Sequence, residues 1–120
     1  MKRHNVSSGS EFESSVGYSR AVRTGPFVAV AGTTGTGDDI ASQARDALRR
    51  IDTALQEVGA SMSDVIRTRM FVTDISLWRD VAAVHCAVFR DIAPAATMVE
   101  VTALIAPGLM VEIEVDAYIA

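Results

Sequence analysis

Apolar and polar positions change their period along this chain, and the period separates strands from helices. Residues 1–16 are polar, rich in Ser and Glu, and carry no period, which predicts a loose arm or an edge segment. Two apolar runs follow, Arg20-Ala21-Val22-Arg23 and Phe27-Val28-Ala29-Val30-Ala31. Thr24-Gly25-Pro26 between them supplies turn chemistry, so a hairpin is predicted. The second run is apolar on both faces, as in a strand covered on both sides. Ile40, Ala44, Ala47, Leu48, Ile51, Ala54, Leu55 and Val58 recur at three- and four-residue steps. That spacing predicts one long helix, opened by Asp38-Asp39 and ended by Gly59.

Residues 65–73 alternate again, with Ile66, Thr68, Met70 and Val72 on one face and Arg67, Arg69 and Phe71 on the other. Ser76 is placed to cap a second helix with Leu77, Val81, Val84 and Val88 as its buried stripe, and Pro94 stops it. Strands over about 97–104 and 109–118, joined around Ala106-Pro107-Gly108, complete the order β-β-α-β-α-β-β. This predicts an α+β domain over 17–120, a mixed sheet with two helices on one face, behind a polar arm over 1–16. In the last strand Leu109, Val111, Ile113, Val115 and Ala117 share one face; Met110, Glu112, Glu114, Asp116 and Tyr118 share the other. Two helices cover only one side, so the apolar residues aimed at the other predict a homo-oligomer packed through the open face.

Composition narrows the function classes. Eleven Lys and Arg against fifteen Asp and Glu, a net charge of −4, argue against a surface built to track phosphates, and hence against nucleic acid as a partner. The single cysteine, Cys86, excludes an intramolecular disulfide and suits a reducing compartment. Lys2 and Arg3 are followed by no apolar run, and no stretch approaches the ~20 apolar residues of a membrane span, so a cytoplasmic protein is expected.

Candidate chemistry is sparse. The run Gly32–Gly37 follows a strand and precedes a helix, but fits neither phosphate-loop pattern and reads first as a flexible turn. Cys86 reads as a small packed residue, and adjacent helical side chains diverge by about 100°, so His85 is not placed to activate it. With His4 the only other histidine and no ligand spacing, no metal site is expected. Glu112, Glu114 and Asp116 crowd one strand face and call for partners among Arg20, Arg23, Arg67 and Arg69; alternatively, one of them works on a water or substrate proton from a half-buried cleft. Arg20 and Arg23 lie three apart on a strand and so on opposite faces, which frees one of them to meet an organic acid. Trp78 reads as core or interface packing.

Gly17-Tyr18-Ser19-Arg20-Ala21-Val22-Arg23, Val30-Ala31-Gly32-Thr33-Thr34-Gly35, the run over 65–74, Pro94-Ala95-Ala96-Thr97-Met98-Val99-Glu100-Val101 and Val111-Glu112-Ile113-Glu114-Val115 together resemble the Rid family (YjgF/YER057c/UK114, L-PSP endoribonuclease-like). The resemblance implies a chorismate-mutase-like fold of the bacillus type and a homotrimer with a barrel-like core of sheets. It also implies inter-subunit pockets for a small organic-acid or imine ligand, and no cofactor. Active members hydrolyse enamines and imines to 2-oxo acids and ammonia. Matched position by position, the pocket tyrosine falls on Tyr18, the glycine on Gly32 with Thr33 beside it, and the pocket glutamate on Glu112. The arginine of the family's P-A-R-S-C stretch falls on Ala96, followed by Thr97, with Met98 at its cysteine position. The missing guanidinium implies altered or absent deaminase activity, with Arg20 or Arg69 as substitutes from other strands. A non-catalytic small-metabolite-binding or regulatory protein is the alternative, and an endoribonuclease comes third.

Overall fold

A computed structural model describes residues 2–120. Its sheet has six strands: β1 (Arg3–Val6), β2 (Ala21–Thr24), β3 (Phe27–Thr33), β4 (Val65–Val72), β5 (Ala95–Glu100) and β6 (Val111–Tyr118). They lie in the order β1-β2-β3-β6-β4-β5; β4 and β5 pair parallel, and every other pair is antiparallel. The last strand in sequence therefore sits near the middle of the sheet, and β5 lies at an edge. Helices α2 (Ile40–Glu57) and α3 (Trp78–Phe89) pack on one side; a short α1 (Glu11–Val16) links β1 to β2.

Local chemistry sets these elements. Asp39 accepts from the Ser42 amide at 2.7 Å while the Ser42 hydroxyl accepts from the Asp39 amide at 3.2 Å, a reciprocal cap that starts α2. Gly59, at φ +81°, takes the left-handed position just past the helix end. The hairpin turn is Gly25-Pro26, with Thr24 opposite Phe27 and Gly25 at φ +60°. Gln43, buried in α2, donates to the carbonyls of Gly37 (3.1 Å) and Gly108 (3.0 Å) and accepts from the Met110 amide (2.9 Å). One side chain thus ties the loop before α2 to the loop before β6.

The core lies between sheet and helices. Val28 and Val30 of β3, Met70 and Val72 of β4, and Val111, Ile113, Val115 and Ala117 of β6 meet Ala44, Leu48, Ile51 and Leu55 of α2 and Val81, Val84 and Phe89 of α3. The molecule measures 43 × 37 × 19 Å, and a thickness of 19 Å matches two layers at about 10 Å each. The second face of the sheet has no layer over it. Phe27, 57% exposed, stacks edge-on against Tyr118 at 5.1 Å there, with Ala29 exposed beside them.

Several expectations are corrected. Of the two readings of residues 1–16, the edge segment holds and the loose arm does not: β1 pairs with β2 at the sheet edge, α1 follows, and Glu13 accepts from the Ser8 amide (3.0 Å) and hydroxyl, which hold its carboxyl down to about 2. Ile66 is 50% exposed, because a register shift between Val65 and Arg67 gives its inward place to Val65. Asp74, not Ser76, caps the single turn of 3-10 helix that precedes α3, and Leu77 and Val88 lie outside the buried stripe, which Phe89 completes. The fifth strand runs Ala95–Glu100 rather than over 97–104. The glycine-rich segment is packed rather than loose: a Cβ on Gly35 would lie 2.2 Å from the Gln43 carbonyl oxygen, and one on Gly37 2.2 Å from the Ser42 hydroxyl. Cys86 is exposed on α3.

Candidate functional site

The strand alternation predicted for the two arginines of the first hairpin is realised. Arg23 turns to the helix side, where Nη1 donates to the Val58 carbonyl at 2.5 Å and Nε to the Gly25 carbonyl at 2.9 Å, satisfying an end of α2. Arg20, just before β2, turns to the open face. Its Nη1 donates to the Gly32 carbonyl (2.8 Å) and the Thr33 hydroxyl (2.7 Å), and its Nη2 to the Tyr18 hydroxyl (3.2 Å). The guanidinium also stands 5.5 Å from the Tyr18 ring centroid. Thr33 itself is buried and donates to the Ala31 carbonyl at 2.8 Å, so it serves as Arg20's anchor rather than as a pocket wall.

Glu112 of β6 reaches the same place from the other side of Gly32. A Cβ on Gly32 would lie 2.9 Å from the Glu112 Cδ and Oε1, so this carboxylate occupies the space that glycine leaves open. Half-burial pushes the Glu112 carboxyl above its ordinary range, the neighbouring Glu114 adds to the rise, and Arg20 opposes it. The three crowded carboxylates divide. Arg69, one of the arginines expected to answer them, pairs with Glu114 at 3.3 Å and with Asp116 at 3.1 Å, while Glu112 has no ion pair among the described residues. A cleft of about 430 Å³ runs beside this group along the open face, lined by Asn5, Tyr18, Val22, Ala31, Glu114 and Asp116.

The chain does not bring every candidate together. Ala96, Thr97 and Met98 lie on the edge strand β5, and β4 separates β5 from Glu112's strand. Thr97 registers with Arg69 on the open side, whereas Ala96 and Met98 register with the inward Thr68 and Met70, and Met98 packs against the core. Within one copy there are two groups: Tyr18, Arg20, Gly32 and Glu112 in one, the β5 residues in the other.

The model of the family described as endoribonuclease L-PSP matches residues 8–119. The crystal structure of Rv2704, a member of the YjgF/YER057c/UK114 family from Mycobacterium tuberculosis, is 69% identical with a TM-score of 0.97, covering 98% of this chain and 100% of that one. This chain belongs to that family. A RutC family protein of Pyrococcus abyssi is 31% identical over 84% of this chain and 85% of its own length. The E. coli YjgF structure is similar at 27% identity and a TM-score of 0.78, covering 84% and 87% of the two chains. YjgF-family structures share the chorismate-mutase-like fold expected from the sequence.

Elsewhere this YjgF-family chain offers little chemistry. The His85 Nε2 and the buried Thr68 hydroxyl hydrogen-bond at 2.8 Å, and burial lowers the affinity of the ring for a proton. Trp78, 43% exposed, carries the Arg79 guanidinium 4.5 Å from its ring and forms no part of the core. No group of three or more His, Cys, Asp and Glu able to hold a metal occurs among the described residues. Among the described residues no helix is long and apolar enough to cross a membrane. Sequence reasoning missed Phe71, which registers directly opposite Glu112 on the open face; the antiparallel pairing of β4 with β6 was the signal needed to find it.

Proposed function

We propose that the protein is a homotrimer whose inter-subunit clefts hydrolyse small imines or enamines, with Glu112 as the proton-transfer group. The observation that carries this reading is Glu112 itself: a half-buried carboxylate, raised in pKa, without an ion-pair partner, on a sheet face that a single copy leaves open. A carboxylate in that state accepts a proton from water as the water adds to the C=N carbon. It then returns the proton to the nitrogen of the carbinolamine. The same carboxylate then takes the proton of the carbinolamine hydroxyl and passes it to the nitrogen as the C–N bond breaks, so that 2-oxo acid and ammonia leave. The separation of the β5 residues from Glu112 within one chain supports a cleft completed by a neighbour, with Thr97 contributed across the seam. The chemistry needs no metal or organic cofactor. With its lone thiol free, the protein suits the reducing cytoplasm.

The test is ammonia release from 2-iminopropanoate generated in situ. Wild type accelerates release over buffer, and Glu112→Ala loses about a hundred-fold or more of that acceleration. A wild-type rate equal to buffer overturns the proposal. A second reading, a binding protein without turnover, is favoured by the uncharged Ala96 on β5; it predicts ligands that raise the melting temperature with no ammonia released. RNA cleavage fits less well, since the only ring base near the core, His85, is tied to Thr68.

A further inference from the structure

A half-buried cation ordinarily sits against a carboxylate, because taking it partly out of water otherwise costs free energy. Arg20 has no carboxylate partner among the described residues. Its position is nonetheless fixed at four points, by the Ala31 and Gly32 carbonyls, the Thr33 hydroxyl and the Tyr18 hydroxyl. A guanidinium has five N–H donors; these bonds leave the Nε–H and one Nη2–H without an acceptor among the described residues. Glu112 meets the same glycine, its carboxyl 2.9 Å from where a Cβ would stand, and it too lacks a partner. Gly32 thus separates a rigid, partly unsatisfied cation from an unpaired carboxylate, and the two do not neutralise each other in an ion pair.

From this arrangement we infer that Arg20 is the residue that anchors the ligand's carboxylate, so that the site takes a small 2-imino or 2-amino acid with its carboxylate on Arg20 and its nitrogen turned toward Glu112. Arginine suits this task because its planar donors match a carboxylate and its charge persists at every working pH. The inference rests on the proposed ligand site at Glu112 on the open face, but not on turnover. It places the anchoring charge at the head of β2, beside Tyr18, rather than on β5, where Ala96 has none to offer.

Equilibrium binding of 2-oxopropanoate and of its neutral amide, to wild type, Arg20→Gln and Arg20→Lys, tests it. Wild type binds the acid about ten-fold or more tighter than the amide; Arg20→Gln loses about that factor for the acid and leaves the amide within about two-fold, while Arg20→Lys keeps part of the preference. Equal affinity of wild type for acid and amide, or an Arg20→Gln protein that still prefers the acid, overturns the assignment. Should Arg20→Gln fail to fold, the wild-type comparison and Arg20→Lys decide the matter alone. Arg20-dependent acid binding without ammonia release sinks the catalytic proposal and leaves this one standing. Ammonia release that survives Arg20→Gln with unchanged KM does the reverse.

Discussion

The two faces of β6 are built from alternate residues of the same eight, yet they obey different rules. On the helix side Val111, Ile113, Val115 and Ala117 are fully buried and hydrocarbon only. On the open side Glu112, Glu114, Asp116 and Tyr118 remain partly or largely accessible, two of them shared by one arginine and one left without a partner. The helix side answers to packing density, where every methyl group counts. The open side mixes charge with Phe27, Ala29 and Phe71, a composition suited to a second protein surface and a ligand rather than to a monomer's core or its solvated exterior. The difference teaches that close packing and unpaired charge are separated here by the two-residue period of a strand.

Substitution can break that contrast most sharply by placing the same kind of charge on each face. Ile113→Asp puts a carboxylate among α2 and β4 side chains and costs about 4 kcal/mol or more, so no cooperative thermal transition survives. Ala29→Glu, on the open face opposite Asp116, leaves the single copy folded to within about 0.5 kcal/mol by circular dichroism but disperses the assembly. If both variants unfold alike, or neither changes the solution mass, the two faces are not distinct.

Gly32→Ala probes the open side more gently. The new methyl would stand 2.9 Å from the Glu112 carboxyl, which is the mobile end of a side chain and can swing away. The expected result is a stability change under about 1 kcal/mol with about a ten-fold or larger fall in ammonia release, because moving the proposed proton-transfer group by an ångström is enough to slow chemistry. Unchanged turnover would show that the position of Glu112 is not used.

The smallest effect is electrostatic. Glu112's carboxyl is raised above its ordinary 4.5 in the folded protein, so the folded state binds more protons than the unfolded one between those two values. Stability is therefore lost as pH rises from the ordinary value through the raised one. Glu112→Gln removes that loss: its melting temperature exceeds wild type at neutral pH, and the advantage shrinks as pH falls through the raised value and is gone below about 4.5. A variant less stable than wild type at pH 7 would contradict the raised value.

The helix-covered half of the molecule was largely legible in the sequence. The stripe from Ile40 to Leu55, the stop at Gly59 and the alternation of β6 all reflect local periods that a single chain carries. Ile66 was misplaced because a bulge shifts the inward position by one residue, and a bulge depends on strand pairing rather than on local period. For the N-terminal segment the sequence leaves a loose arm and an edge segment open, because the residues of β1, Arg3 to Val6, bury only Val6 and are held by backbone pairing with β2. At the candidate site, alternation sufficed to send Arg20 and Arg23 to opposite faces. It could not show that Thr33 braces Arg20 or that Phe71 lies opposite Glu112, since both facts depend on how distant strands register.

The account turns on whether sister copies cover the open face, and sedimentation equilibrium of the wild-type protein at low micromolar concentration measures this directly. A mass three times the 12.8 kDa of one chain, unchanged on dilution, is the predicted result. A folded species holding at 12.8 kDa would contradict it.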